Sequence, residues 1–143
     1  MSTLTTANSI LLLSVAGLYP VPVPIQGYSV DDAFSTEEAE NGELMIGIDG
    51  QLSAGYTPYI TPVTITLQAN SLSNSVMDAW IGAERKSREK YVASVTILIP
   101  SIGDLIDCET GYLQKFQAFA EGKKVLQPRK FTIGFESVTR GPA

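Results

Sequence analysis

Apolar and polar residues alternate with a period of two along most of the chain, which predicts strands. Residues 63–69 carry apolar side chains at odd positions and Thr or Gln at even positions, the pattern of a strand with one buried face. Residues 131–135 repeat this pattern. In residues 44–49, Leu44, Ile46 and Ile48 form the expected buried face, and Asp49-Gly50 then predicts a tight hairpin turn.

Three further segments have strand character. They are residues 25–34, residues 91–99 before Pro100, and residues 112–121 before a predicted Gly122-Lys123 turn.

The N-terminal apolar run, residues 9–18, predicts a buried strand. No base precedes it, as a signal peptide would require, and it is shorter than the roughly 20 residues that span a bilayer. Pro20, Pro22 and Pro24 follow and favour a stiff, extended connector, with a proline-recognition motif as the alternative. We expect a soluble chain without a membrane segment.

One helix is predicted from residue 74 to about residue 86. Its apolar stripe has helical spacing and consists of Val76, Met77, Trp80 and Ile81. Ser73 is the candidate N-cap, because its hydroxyl can accept hydrogen bonds from the first free amides of the helix.

The order of elements, strands followed by one helix and then more strands, predicts a mainly β protein of the α+β class. We expect a predominantly antiparallel sheet or sandwich with one helix. All 143 residues form one predicted domain. It has an N-terminal strand and proline-rich connector (1–24), a core (25–139) and a short frayed end (140–143).

The charges are distributed unevenly along the chain. Residues 1–84 contain nine acids and no base, whereas residues 85–143 contain all ten bases and six acids, for a net charge of −5. Such an asymmetry concerns partners and electric fields rather than fold.

Composition excludes several kinds of chemistry. The chain has no histidine and one cysteine, which rules out histidine-dependent catalysis, His-ligated zinc and an internal disulfide. Asp31-Asp32 and the Glu37, Glu38, Glu40 cluster lack the spacing of a calcium loop, so a solvated acidic loop is favoured over a metal site. We therefore expect no metal and no cofactor.

The densest basic segment is residues 85–90. Its bases suit the negative end of the helix and salt bridges better than nucleic-acid binding, which requires interleaved aromatic residues. Trp80 is expected to anchor the core. Acidic neighbours should raise the pKa of Cys108, the opposite of an activated thiol. Because no reaction emerges, the chain is predicted not to be an enzyme.

An ordered set of segments resembles the tail tube proteins of contractile-tailed bacteriophages. The segments are Ile25-Gln-Gly-Tyr-Ser-Val-Asp-Asp-Ala-Phe34, Met45-Ile-Gly-Ile-Asp-Gly50, Thr64-Ile-Thr-Leu-Gln68 and Asn70-Ser-Leu-Ser-Asn-Ser-Val76. The resemblance implies an antiparallel β-sandwich or barrel-like subunit with one flanking helix. It further implies six-membered rings that stack into a hollow virion tube inside a sheath. It also implies that DNA passes through the channel without specific binding. The sheath, baseplate and tail terminator proteins are then the expected partners of a protein that is made in the host cytoplasm.

Contacts between copies are expected at residues 37–43 and 50–62, for which ordinary solvated turns are the alternative. The acidic loops are expected to meet the basic segments 85–90 and 123–129 of another copy. The candidate residues are Glu37, Glu38, Glu40, Glu43, Tyr56, Tyr59, Arg85, Lys86, Arg88, Lys123 and Lys124. The base-free first half is expected to supply more of the channel surface, since each basic contact with phosphate would retard DNA. The alternatives are a soluble β-barrel that binds a small ligand and a tube subunit of a phage-derived bacteriocin or secretion device.

Overall fold

The computed structural model describes residues 9–26 and 33–142, which form nine strands and one helix. In chain order these are β1 (Ile10–Val15), β2 (Tyr19–Ile25), β3 (Phe34–Thr36), β4 (Gly42–Ile46), β5 (Leu52–Tyr56), β6 (Thr61–Leu67), α1 (Asn74–Ser87), β7 (Ala93–Ile99), β8 (Asp104–Phe116) and β9 (Arg129–Pro142).

Seven strands form one antiparallel sheet in the order β2-β1-β7-β8-β9-β6-β3, while β4 and β5 form a separate hairpin. The central strands β7, β8 and β9 come from the second half of the chain, and strands from the first half flank them on both sides. The predicted class, mainly β with antiparallel pairing and one helix, is confirmed. The predicted helix and the strands at 63–69, 91–99 and 131–135 are also present, although the bounds of the strands differ from those predicted.

The core lies between one face of this sheet and helix α1. Alternate residues of the five inner strands point into it, and the helix contributes Met77 and Trp80, both essentially fully buried. The indole Nε1 of Trp80 donates to Glu84 Oε2 at 2.8 Å, so the polar atom of the ring is also satisfied. Trp80 is therefore the core anchor that its position predicted.

Gly111 lets strand β8 pass close to an aromatic ring of β9. A Cβ atom built at this position would lie 2.4 Å from Cδ1 of Phe135, which is itself fully buried. Cβ atoms do not approach carbon this closely, so only glycine fits here without displacing the ring.

Replacing Gly111 with Ala should therefore destabilise the domain by about 1–3 kcal/mol, because the ring of Phe135 must move within a packed core. Urea unfolding measures the loss. Gly122→Ala is the control, since a Cβ there meets nothing within 4 Å, and equal stability of the two variants would contradict the expectation.

A buried arginine connects the helix, strand β9 and the segment that leads into it. The side chain of Arg129 pairs with Asp78 of α1 at 2.9 Å, and its Nη2 also donates to the carbonyl oxygens of Gln117 at 2.8 Å and Ala118 at 3.2 Å. Its guanidinium carbon lies 4.8 Å from the ring centroid of Phe131. The sequence pattern did not identify this residue as part of the interior.

Arg129→Met should lower the free energy of unfolding by about 3 kcal/mol, because two carbonyls and a carboxylate lose their shared donor. Asp78→Asn should cost about 1 kcal/mol or less, since half of the Asp78 side chain is exposed (55%) and water can replace the pair. Chemical denaturation compares the variants, and a larger loss for Asp78→Asn would show that the carboxylate matters more than the carbonyls.

The proline-rich segment is an edge strand, β2, and not the expected connector. Its register with β1 runs from Leu11 opposite Ile25 to Val15 opposite Tyr19. Because proline has no N–H, the donors that bond to β1 come from the residues between the prolines. The outer edge then lacks donors at Pro20, Pro22 and Pro24, which discourages pairing with another strand.

Two predictions about the last strands are wrong. Strand β8 ends at Phe116, not at residue 121, because Arg129 binds the next two carbonyls and draws the chain away from the ladder. The end at residues 140–142 is not frayed, since it pairs with residues 104–106 and Arg140 Nε donates to Asp104 at 2.6 Å.

The N-cap prediction needs a correction in its chemistry. Ser73 is the N-cap residue, but its hydroxyl caps no helix amide. The hydroxyl instead accepts from the backbone N–H of Gln26 at 2.8 Å and so connects the end of β2 to the helix start. The predicted strand at 25–34 lies largely outside the described residues, as do Asp31 and Asp32.

Candidate assembly surfaces

The hairpin of β4 and β5 is the most unusual surface of the molecule. Every residue in its two strands is exposed except the half-buried Gly42. The expectation that Leu44, Ile46 and Ile48 are buried is therefore wrong. Apolar and polar side chains do alternate between the two faces of the hairpin, but no other described element covers its apolar face. Large exposed patches of this kind mark interaction sites.

Strand pairing gives the hairpin two different faces. Leu44 lies opposite Ala54 and Ile46 opposite Leu52, so these side chains share one apolar face, together with Tyr56. Met45 opposite Ser53 and Glu43 opposite Gly55 form the other face. An isolated two-stranded hairpin is marginally stable in water, and an apolar face on such a hairpin is best accounted for by a covering partner.

The turn of this hairpin is present as predicted, with one difference. Gly50 alone adopts a positive φ, 82°, while the side chain of Asp49 accepts from the N–H of Gln51 at 3.1 Å. A five-residue loop closed by a left-handed glycine replaces the tighter turn expected.

The acidic segment precedes the hairpin directly. Glu37, Glu38 and Glu40 are exposed in an irregular stretch between β3 and β4, and Glu43 is exposed in β4. Within the described residues none of the four forms an ion pair. Farther along, Tyr56 and Tyr59 are exposed to 75% and 41%, so both tyrosines are available for contacts, as expected.

The basic candidates lie in two separate places. Arg85, Lys86 and Arg88 are exposed at the C-terminal end of α1, where their charge suits the helix dipole. Lys123 and Lys124 are exposed in the irregular segment 117–128, and Lys123 lies 3.8 Å from Glu121. The structure thus does not bring all the predicted bases together.

That irregular segment also exposes apolar side chains that the sequence pattern did not single out. Phe119, Val125 and Leu126 are each more than 60% exposed. The sequence pattern predicts a strand over residues 112–121 that includes Phe119, but β8 ends at Phe116.

The face of the sheet away from the core is mostly polar. Thr64 and Thr132 meet there across β6 and β9, with hydroxyl oxygens 3.1 Å apart. Thr96 of β7 donates to Asp107 of β8 at 3.4 Å on the same side. Hydroxyl groups of this kind favour a wet surface over a second packed layer.

Cys108 is a buried, free cysteine. Burial raises the pKa of its thiol to about 11, and the Asp107 carboxylate adds to the rise. The predicted direction is confirmed, although burial and not the acidic neighbours is the main cause.

The Cys108 thiol should therefore resist modification. At pH 8 its thiolate population is about 100-fold smaller than that of an ordinary thiol with a pKa of 9.0. Alkylation by iodoacetamide at pH 8 should be at least that much slower in the folded protein than in urea. Equal rates before and after unfolding would contradict the buried thiol.

The described residues contain neither a metal-binding cluster nor a membrane-spanning helix. Among them, no three His, Cys, Asp or Glu side chains lie together in a way that could hold a metal ion. Across residues 9–26 and 33–142, no helix combines the length and apolar character needed to cross a bilayer.

The sequence matches one known protein family. The model of a family described as tail fiber protein gp32 matches residues 2–139. The match spans most of the chain, so the chain belongs to the tail fiber protein gp32 family. Comparison with curated proteins gives no match.

Several solved structures share the fold. One is a chain of the anti-feeding prophage (AFP) cap, which is described as the AFP tube terminating cap. It has a TM-score of 0.62 at 12% identity, and the aligned region covers 100% of the present chain and 93% of the AFP chain. A chain of the AFP baseplate, 6-fold symmetrised, gives 0.63 at 11% identity, with 99% and 98% covered. A chain of the sheath-tube complex of the PVC extracellular contractile injection system gives 0.56 at 11% identity, with 93% and 88% covered.

At these identities the likeness shows a shared fold. The resemblance to the tube proteins of contractile systems is confirmed at that level.

Proposed function

We propose that the chain is a structural subunit of a phage tail tube. In this proposal six copies form a ring, rings stack into a hollow tube, and genomic DNA passes through the tube during infection. The exposed apolar face of the β4–β5 hairpin carries the proposal, because a folded subunit that leaves such a surface uncovered needs a partner.

A second copy of the chain is the partner we propose for the hairpin. The hairpin extends from the sheet between β3 and β6 without packing on its own domain, as an arm that reaches a neighbour would. Contacts at Tyr56 and Tyr59, and at Lys123 and Lys124 of segment 117–128, belong to the same proposal. The copy number follows the 6-fold symmetry of the AFP baseplate, which contains a chain of this fold.

The polar face of the sheet is the surface we propose for the channel. Thr64, Thr96 and Thr132 lie on it beside the acid Asp107 and the exposed base Lys130, and hydroxyl groups do not retain phosphate as Lys or Arg would. DNA then passes without specific binding. Strands from both halves of the chain form this face, and the longest two, β8 and β9, come from the second half. The proposal therefore does not assign more of the channel surface to the base-free first half.

The partners beyond other copies are the sheath, the baseplate and the tail terminator, in keeping with the assemblies that contain chains of this fold. The protein is then made in the host cytoplasm and resides in the virion tail, and its role is structural rather than enzymatic. A tube subunit of a phage-derived injection device is the second candidate, which the AFP and PVC structures favour.

A small-ligand barrel is less well supported. Its interior would have to be open, whereas Trp80, Phe131 and Phe135 fill the space between sheet and helix and are fully buried.

The test is a matched pair of substitutions in β4. Ile46 and Met45 are neighbours with the same exposure, 72%, but they lie on opposite faces of the hairpin. Ile46→Asp should abolish rings and tubes in negative-stain electron microscopy, because a charge would enter an apolar contact. Met45→Asp is the control and should assemble. Both variants should keep the wild-type unfolding midpoint, since neither side chain is buried in the subunit.

Tubes formed by Ile46→Asp would refute the role of the apolar face. Wild-type protein that stays in small particles at every concentration would refute the tube itself and favour the binding-module alternative.

A further inference from the structure

A groove of about 300 Å³ lies at the C-terminal end of helix α1. Ile81, Leu113 and Phe116 supply its apolar lining, and Arg85 and Arg88 supply guanidinium groups. A groove that combines apolar surface with arginines suits a peptide segment that carries carboxylates.

The other charged groups around the groove neutralise these arginines only in part. Glu84 accepts from Lys90 at 3.1 Å and from the indole of Trp80 at 2.8 Å, so its carboxylate is already engaged. Lys90 also donates to the carbonyl of Leu113 at 2.9 Å. Glu89 is the remaining acid in the lining. Within the described residues, no ion pair is formed by Arg85, Lys86 or Arg88.

Helix α1 has Arg88 as its C-cap, and this residue has an unusual backbone conformation. Arg88 follows the helix in the left-handed conformation, with φ 58° and ψ 31°, and its N–H donates to the carbonyl of Glu84 at 2.7 Å. Glycine is the usual residue at this position because a Cβ is strained there. Arg88→Gly would therefore remove the guanidinium group while relieving backbone strain.

The same chain carries a segment of matching chemistry that it does not use internally. Glu37, Glu38 and Glu40 are exposed, irregular in backbone and without an ion pair in the described structure. No base occurs before Arg85 in the sequence, so nothing nearby along the chain neutralises this segment.

We propose that the groove binds residues 37–40 of a neighbouring copy, with Arg85 and Arg88 bonding to its glutamates. This inference rests on the proposed function and names the surfaces that would meet. Each copy gives its acidic segment to one neighbour and receives that of another. Such a head-to-tail contact closes into a ring when the rotation between copies allows it.

The test is a charge exchange measured by sedimentation velocity and negative-stain microscopy. Arg85→Glu with Arg88→Glu should abolish assembly, and Glu38→Arg with Glu40→Arg should do the same. All four substitutions in one chain restore the wild-type net charge of −5 and should restore rings. Added salt should weaken wild-type assembly, because screening reduces attraction between exposed charges.

Arg88→Gly separates this role from a structural one. It should leave the thermal unfolding midpoint unchanged or raise it, since the left-handed strain is removed, while the protein concentration required for assembly rises about tenfold, the effect of losing one charge-assisted contact. A residue that only ended the helix would show no loss of assembly on this change.

Failure of the groove proposal can be distinguished from failure of the proposed function. If wild-type protein assembles and both charge-reversed variants assemble equally well, the groove proposal is overturned and the tube proposal survives. Failure of the four-substitution chain to assemble, although it is folded by circular dichroism, would also overturn the pairing. Absence of wild-type assembly would refute the proposed function instead.

Discussion

One helix cannot cover both faces of a seven-stranded sheet, and this constraint shapes the whole molecule. Helix α1 buries one face through Met77 and Trp80. The other face carries Thr and Ser side chains together with charged residues such as Asp107 and Lys130 and with Leu12, Leu98 and Leu105. The hairpin of β4 and β5 lies outside both layers. The subunit therefore has a packed core but leaves three surfaces uncovered. The outer face of the sheet is mostly polar, the β4–β5 hairpin has an apolar face, and the groove at the end of α1 is charged.

Polar side chains attach helix α1 to the strands of the sheet at two points. Arg129 draws the helix, β9 and the segment after β8 to one point through Asp78 and two carbonyl oxygens. The hydroxyl of Ser73 joins the end of β2 to the start of α1. In each case a polar side chain connects elements distant in sequence, in a domain without a disulfide among its described residues. Such contacts fix the position of the helix, and with it the groove at its C-terminal end.

The sequence predicted the parts of the fold that follow from local pattern. Strict alternation identified β6 and β9, and the apolar stripe identified α1 with an error of one residue at its end. The alternation of apolar and polar residues could not predict that Leu44 and Ile46 are exposed. It distinguishes the two faces of a strand but does not indicate which face is covered by another element. The interior role of Arg129 and the left-handed backbone of Arg88 depend on contacts and dihedral angles that composition does not contain. The two segments of the proposed contact differ in charge already in the sequence, and their pairing stays a prediction.

In the proposed tube, the exposed hairpin gives the stack of rings a direction. An arm on one copy that meets a different surface on a copy of the next ring makes a head-to-tail contact. Where the rotation between copies does not close such contacts, they extend the stack without limit. Its two ends are then unlike, since one presents free arms and the other presents vacant acceptors. Growth would have to be started at one end and stopped at the other by separate proteins, each shaped to only one of these surfaces.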